Sequence, residues 1–102
     1  MCGIGAVLAA KTCDTTGLSA ALLKALMRRG PDMQSKHSTS VVQSETSDPV
    51  GVDFVAAVLH LRGTVAQPQP LVDDKGNILL WNGEVFAGFV QPRIVLFAVF
   101  IL

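Results

Sequence analysis

The sequence predicts a small α+β domain that combines short apolar strands with one amphipathic helix. Three observations favour this fold class. The chain has 102 residues, enough for one domain with a modest core. Apolar residues make up 50% of it and charged residues only 16%, so much of the chain can be buried. Apolar runs typical of strands lie on both sides of a segment with helical leucine spacing.

The first third of the chain predicts a strand followed by a helix. Residues 3–9 form an apolar run that indicates a buried strand. Residues 14–16 offer three suitable N-caps for a helix over residues 18–29. The apolar stripe of that helix comes from leucines spaced by four residues, Leu18, Leu22 and Leu26. Gly30 and Pro31 end the helix.

The rest of the chain predicts a polar connection, a central strand and a turn. Residues 33–51 are rich in serine and threonine, which predicts either a mobile loop or an edge hairpin without a functional role. Residues 52–61 return to an apolar run and predict a central strand. Turn-forming residues at 73–77 precede a last strand at 78–81.

The charge balance and the cysteine count exclude several classes of protein. Eight Lys and Arg balance eight Asp and Glu, which leaves no cationic surplus for a phosphate backbone and predicts no nucleic-acid partner. Two cysteines are too few for a disulfide-rich secreted domain. The apolar N-terminal stretch lacks the basic segment of a signal peptide. We therefore expect a cytoplasmic location.

The C-terminal segment differs in composition from the rest. Residues 94–102 carry only apolar side chains, and these nine residues are too few for a membrane-spanning helix, which needs about 20. No membrane span is therefore predicted. The segment combines high β-propensity with no charge and no proline, which is typical of aggregation-prone segments. It could pack as a substitute strand, bind a partner or a membrane surface, or drive self-association, and we expect self-association for the isolated chain.

Cys2 is the first candidate for chemistry. Because the initiator methionine is removed before small residues, Cys2 can become the N-terminal residue, with its thiol beside a free α-amine. An α-amine has an ordinary pKa of about 7.7 to 8.0, which suits a general base for the neighbouring thiol. The alternative interpretation is a cysteine at position 2 without any function.

Acyl transfer also needs donors for an oxyanion and a clamp for the substrate. Asn82 and Gly83 offer a side-chain amide and an unhindered backbone N–H, and Arg62 offers a planar guanidinium group that fits a carboxylate. Both features have ordinary alternatives. Asn-Gly is a common hairpin turn, and Arg62 is equally compatible with a solvated strand end.

The cysteines and histidines are candidate metal ligands by residue type. Cys2, Cys13, His37 and His60 do not have the short spacings of a zinc motif, so no metal site is predicted. Cys13 is interpreted as an ordinary thiol, His60 as a packed and hydrogen-bonded histidine within a strand, and His37 as a solvated loop residue.

Four motifs follow one another along the chain. They are Met1-Cys2-Gly3-Ile4, Arg28-Arg29-Gly30-Pro31-Asp32, Leu59-His60-Leu61-Arg62 and Trp81-Asn82-Gly83-Glu84. Together they resemble the class II glutamine amidotransferase domain, in particular its asparagine synthetase-like members. The resemblance makes residues 2–87 a partial amidotransferase domain and residues 88–102 a divergent apolar tail.

The resemblance implies an N-terminal-nucleophile hydrolase sandwich, in which two antiparallel sheets lie between helical layers. It implies that glutamine is hydrolysed to glutamate and ammonia for asparagine biosynthesis. Cys2 would be the nucleophile, with its own amine as the base. Arg62 would bind the α-carboxylate of glutamine, Asn82 and Gly83 would form the oxyanion hole, and Glu84 would line the substrate pocket.

The sequence also departs from that family. The family's domain is longer and supplies an acidic residue for the glutamine amine, which has no counterpart here, and its ATP-using synthetase domain is missing. We therefore expect a truncated domain. The resemblance implies that residues 29–32 are structural. No cofactor is expected for glutamine hydrolysis, since ATP and Mg belong to the synthetase domain. The alternative function is a non-catalytic fragment that acts through interaction with another chain.

Overall fold

A computed structural model of the chain describes residues 2–10, 13–42 and 47–83. Its elements are, in order, β1 (Gly3–Ala10), α1 (Thr16–Leu26), β2 (Met33–Val41), β3 (Val50–Val58), β4 (Leu71–Val72) and β5 (Ile78–Leu79). One helix with antiparallel strands is an α+β arrangement, as predicted. The complete sandwich stays a prediction. Glu84 and the proposed tail at 88–102 lie outside the described residues.

The largest sheet has three antiparallel strands in the order β1-β3-β2. Gly3 pairs with Ala57 on one side of β3, and Met33 pairs with Val58 on the other. Since β3 has a neighbour on each side, its apolar side chains are among the most buried of the chain. The predicted central strand is thus confirmed, although it covers 50–58 rather than 52–61.

β2 is one of the two edge strands of this sheet. It pairs with β3 along its whole length, from Met33 to Val41, so the interpretation of this region as a loop is wrong and the edge hairpin is confirmed. Burial alternates along β2, with half-buried side chains at 33, 35, 37 and 39. The covered face is mostly polar, so this strand lacks the apolar alternation that predicts a strand from sequence. His37, expected to be solvated, lies on that half-buried face.

α1 packs against β1 at two glycines. A Cβ atom on Gly3 would lie 2.9 Å from the Cβ of Leu26, and one on Gly5 would lie 2.9 Å from a Cδ atom of Leu22. The absence of side chains on β1 therefore makes room for the leucines of the helix. The predicted apolar stripe is right for Leu22 and Leu26 but wrong for Leu18, which is 65% exposed.

The buried carboxylate of Asp53 explains why α1 buries Ser19 against the sheet instead of Leu18. Asp53 in β3 is 6% exposed. It accepts hydrogen bonds from the hydroxyls of Thr15 (2.8 Å), Ser19 (2.5 Å) and Ser38 (2.6 Å), and its carboxylate lies 2.9 Å from Lys36 Nζ. These donors, Ser19 foremost, hold the pKa of Asp53 well below its usual range. The carboxylate is therefore ionised and its oxygens are well paired.

α1 begins at one of the predicted N-cap residues but ends earlier than predicted. The N-cap residue is Thr15, but its hydroxyl bonds to Asp53 and makes no cap. Asp14 instead accepts a hydrogen bond of 2.9 Å from the N–H of Thr16. The helix ends at Leu26, and residues 27–29 form a turn rather than the last helical residues.

A second, two-stranded sheet is formed by β4 and β5. The turn between them is the predicted one, because the Asp73 carboxylate accepts hydrogen bonds from the N–H groups of Lys75 and Asn77, at 2.9 and 2.7 Å. Gly76 has a φ of +80°, which glycine adopts readily. The predicted strand at 78–81 is shorter than expected, since β5 ends at Leu79. No helix within the described ranges is long and apolar enough to cross a membrane.

Candidate active site

A cleft of about 840 Å³ lies where β1 begins and β3 ends. Its lining comes from three separate parts of the chain: Cys2 before β1, the end of β3 with the segment that follows it, and the second sheet with residues 81–83. The structure brings four of the predicted site residues together in this cleft, namely Cys2, Arg62, Asn82 and Gly83. The fifth, Glu84, lies outside the described residues. The roles assigned to them stay predictions.

The sheet holds Cys2 at the end of the central strand. Its half-buried thiol accepts a hydrogen bond from the N–H of Leu59 at 3.4 Å and donates one to the carbonyl oxygen of Leu59 at 3.8 Å. Leu59 directly follows β3, and β3 pairs with β1 from Gly3 onward. The pairing of these two strands therefore fixes the sulfur next to the segment that carries His60 and Arg62.

The turn after α1 ties Cys2 to the same segment. The Nε–H of Arg29 donates a hydrogen bond of 3.3 Å to the carbonyl oxygen of Cys2. Asp32 Oδ2 accepts one of 2.7 Å from the N–H of His60, and the N–H of Asp32 donates one of 3.1 Å to the carbonyl oxygen of Val58. These contacts of residues 29–32 could not be predicted from local sequence patterns, because the bonded residues lie 26–28 positions apart.

Gly30 allows this turn to lie directly on the central strand. A Cβ atom at this position would come within 2.1 Å of the carbonyl oxygen of Ala57. Any other residue would therefore push the turn away from β3, and with it the contacts that Arg29 and Asp32 make to the cleft. Gly30 therefore serves this close approach, and the Gly30-Pro31 pair does not itself end α1, which stops at Leu26.

His60 differs from the packed, hydrogen-bonded histidine that the sequence predicted. It follows β3 rather than lying within it, and it lines the cleft. Its Nε2 atom is shielded from solvent and has no hydrogen-bond partner among the described residues. Because an unpaired buried polar atom costs free energy, a polar group bound nearby would relieve that cost.

Trp81 holds the segment that carries Asn82 and Gly83. The N–H of Trp81 donates to Gln69 Oε1, and Gln69 Nε2 donates to the carbonyl oxygen of Trp81, both at 2.8 Å. The indole N–H of Trp81 donates to the carbonyl oxygen of Gly83 at 2.7 Å. Asn82 is therefore flanked by two residues with fixed main chains. Sequence reasoning overlooked Gln69, for which no local signal exists.

Arg62 gives the cleft its charge. It is exposed and, among the described lining residues, it alone has a side chain that is always charged. An anionic group entering the cleft would be attracted to it. For metal binding, no group of three or more His, Cys, Asp or Glu side chains is placed to hold an ion in the described part of the chain. Cys13 is exposed and lies outside the cleft.

Comparison with curated proteins finds several relatives of one name, asparagine synthetase domain-containing protein 1. The chain is 43% identical to the Bos taurus protein over 67 residues, 66% of the chain, and 40% identical to the Gallus gallus protein over 92 residues, 86% of the chain. The Homo sapiens protein is 43% identical over 67 residues.

These matches cover only a small part of the relatives. The chain spans 9% of the Bos taurus and Homo sapiens proteins and 13% of the Gallus gallus protein. No protein-family profile matches the chain, and no solved structure matches it. The chain is thus similar to a small part of proteins named for an asparagine synthetase domain, whereas the class II amidotransferase assignment stays a prediction.

Proposed function

We propose that this chain hydrolyses glutamine to glutamate and ammonia, as the amidotransferase part of an asparagine synthetase-like protein. The observation that carries the proposal is the shared cleft of Cys2, Arg62, Asn82 and Gly83, which are spread over 82 positions of the sequence. The similarity to proteins named for an asparagine synthetase domain supports it. The proposed location is cytoplasmic.

The proposed reaction begins once Met1 has been removed. The α-amine of Cys2 takes the thiol proton, and the sulfur adds to the carboxamide carbon of glutamine. This forms a carbon–sulfur bond and moves an electron pair onto the amide oxygen. A thiol that already lies beside the cleft, held by the main chain of Leu59, needs little movement to reach a bound amide.

The oxyanion would be stabilised by the side-chain amide of Asn82 and the N–H of Gly83. As the oxyanion collapses, the carbon–nitrogen bond breaks and the nitrogen leaves as ammonia with the proton held by the α-amine. Water then adds to the thioester, the carbon–sulfur bond breaks, and glutamate is released with the thiol restored. The sum is glutamine plus water giving glutamate plus ammonia, which requires no cofactor. ATP and Mg would serve only a later synthetase reaction.

Substrate binding is assigned to Arg62, whose guanidinium group would pair with the α-carboxylate of glutamine. Glu84 is assigned to the lining of the pocket by the resemblance alone. The unpaired Nε2 atom of His60 adds a polar group to the cleft. A cleft with one cation and several apolar side chains suits a small substrate with a carboxylate and a short aliphatic chain.

The proposal is tested with the purified full chain. Intact mass should show that Met1 is absent, and incubation with glutamine should release glutamate and ammonia in equal amounts. Cys2→Ser retains a small residue for methionine removal but should lower kcat by at least about a thousandfold, because it removes the thiol nucleophile. The exposed Cys13→Ser is the matched control and should keep wild-type activity.

Two outcomes would overturn the proposal. One is a mature chain that retains Met1 or carries an acetylated N-terminus, since no free amine would then lie beside the thiol. The other is a correctly processed chain that releases no glutamate, or whose Cys2→Ser variant is as active as the wild type. A correctly processed but inactive chain would support the alternative, a fragment that acts by binding another chain.

A further inference from the structure

We propose that Gln69 is a positioning residue for Asn82 and Gly83, which it holds through the main chain of Trp81. This inference rests on the proposed function, because the two positioned residues are the proposed oxyanion donors. Both polar atoms of the Gln69 carboxamide are used. Oε1 accepts from the Trp81 N–H and Nε2 donates to the Trp81 carbonyl oxygen, each at 2.8 Å.

The register of the second sheet explains this contact. Leu71 pairs with Leu79 and Val72 pairs with Ile78, and the same register continued toward the cleft places residue 70 opposite 80 and residue 69 opposite 81. The main-chain carbonyl oxygen of Gln69 accepts a hydrogen bond from Ser35, and no backbone hydrogen bond between Gln69 and Trp81 is seen among the described residues. The side-chain amide of Gln69 supplies the donor and the acceptor that a peptide group would otherwise present to Trp81.

Gln69 is itself anchored to the larger sheet. The hydroxyl of Ser35, on β2, donates a hydrogen bond to the carbonyl oxygen of Gln69. On the other side, the indole N–H of Trp81 donates to the carbonyl oxygen of Gly83 at 2.7 Å. A continuous set of hydrogen bonds therefore connects β2 through Gln69 and Trp81 to Gly83.

Such an anchor matters because oxyanion donors act only over a short distance. The donors must lie about 2.7 to 3.1 Å from the oxygen on which charge develops. Leu79 is the last residue of β5, so the described hydrogen bonds that hold the main chain of residues 81–83 are those of Gln69 and the Trp81 indole. Without the Gln69 hydrogen bonds, we expect the main chain of residues 81–83 to lose its fixed position relative to the cleft.

Two substitutions separate the hydrogen bonds of Gln69 from its bulk. Gln69→Met keeps the length of the side chain but removes the donor and the acceptor. Gln69→Glu keeps an acceptor for the Trp81 N–H but places a second oxygen against the Trp81 carbonyl. Both variants should lower kcat by about ten- to a hundredfold, with KM for glutamine within about twofold of wild type, because positioning affects the reacting geometry more than ground-state binding. Gln34→Met, an exposed glutamine on β2, is the matched control and should behave as wild type.

Amide hydrogen exchange at Trp81 gives a readout that does not depend on activity. In Gln69→Met the Trp81 N–H loses its acceptor and should exchange faster, while in Gln69→Glu it should stay protected. Since Trp81 is the one tryptophan in the sequence, its fluorescence also reports on this segment directly. Thermal unfolding of each variant shows whether the loss of kcat merely follows a loss of folded protein.

The results separate this inference from the proposed function. Wild-type kcat in Gln69→Met, or a rise in KM at unchanged kcat, would overturn the positioning role while glutamine hydrolysis stands. A wild-type chain without turnover would overturn the proposed function and the catalytic consequence of Gln69 with it. In that case, unchanged exchange at Trp81 in Gln69→Met would also overturn the hydrogen bonding of Trp81 by Gln69. Faster exchange would confirm that hydrogen bonding without a catalytic role.

Discussion

The helix side of the three-stranded sheet and the cleft at its end differ in how completely their polar side chains are hydrogen-bonded. Under α1, the buried carboxylate of Asp53 has three hydroxyl partners and an ammonium partner. In the cleft, the Cys2 thiol meets the main chain of Leu59, and the Nε2 atom of His60 has no partner among the described residues.

This difference separates a structural group from candidate functional groups. A carboxylate whose oxygens are already paired stabilises the packing of helix on sheet and has little capacity left for a ligand. Polar atoms that the fold leaves unpaired carry a cost in free energy, which a substrate can relieve. Among the described residues, the cleft is therefore a better candidate for a functional site than the ionised and fully paired Asp53.

The largest effect on stability is expected from Asp53→Ala. The change leaves Ser19 buried without its partner and removes the acceptor of Ser38 and Lys36, so the free energy of unfolding should fall by about 3 to 5 kcal/mol. Chemical denaturation monitored by circular dichroism measures it. The exposed Asp48→Ala is the control and should have an effect below about 0.5 kcal/mol. Equal stability of the two variants would contradict a structural role for Asp53.

Arg62→Ala should weaken substrate binding while leaving the stability of the fold nearly unchanged. Loss of the guanidinium group is expected to weaken glutamine binding by at least about thirtyfold, equivalent to about 2 kcal/mol, because the substrate carboxylate loses its partner. Stability should change by less than about 1 kcal/mol, since the side chain is exposed. Titration calorimetry with glutamine measures the affinity. Lys24→Ala removes an exposed cation on α1 and should leave binding unchanged.

Acid should destabilise the helix side through Asp53. Its pKa in the folded chain is lowered, whereas an aspartate in the unfolded chain titrates near about 3.9. The stabilisation is therefore complete above that value and is lost as the pH falls below it toward the folded pKa. Asp53→Asn, which cannot titrate, should show a smaller loss of stability between pH 5 and 3, measured by denaturation at each pH. An identical pH dependence of the two proteins would contradict this assignment.

The smallest effect is expected from Lys36→Met. The Lys36 side chain is 38% exposed, so its ion pair with Asp53 is partly screened by water and should contribute less than about 1 kcal/mol. Methionine retains a long, unbranched apolar side chain at this position. Denaturation should rank Lys36→Met well above Asp53→Ala in stability. A loss as large as that of Asp53→Ala would show that the ion pair, rather than the hydroxyls, holds the carboxylate.

Local patterns in the sequence were enough for much of the fold. The apolar runs of β1 and β3, the leucine spacing of α1 and the turn around Gly76 each depend on neighbours within a few positions, so their periodicity or turn chemistry is visible in one dimension. The same holds for the candidate site residues, which were chosen by residue type and by motif. Their meeting in one cleft required the pairing of β1 with β3.

Tertiary structure alone decided which polar residues are buried and what holds the site. Ser19 replaces Leu18 on the buried face because Asp53, 34 positions away, offers an acceptor. The sequence of the helix itself does not show that this acceptor is present. β2 is a strand because β3 supplies its partners, although its covered face is polar. Gln69 reaches Trp81 because a hairpin aligns them. Sequence patterns record the preferences of neighbouring residues, whereas hydrogen bonds between distant residues form only when the fold has brought donor and acceptor together.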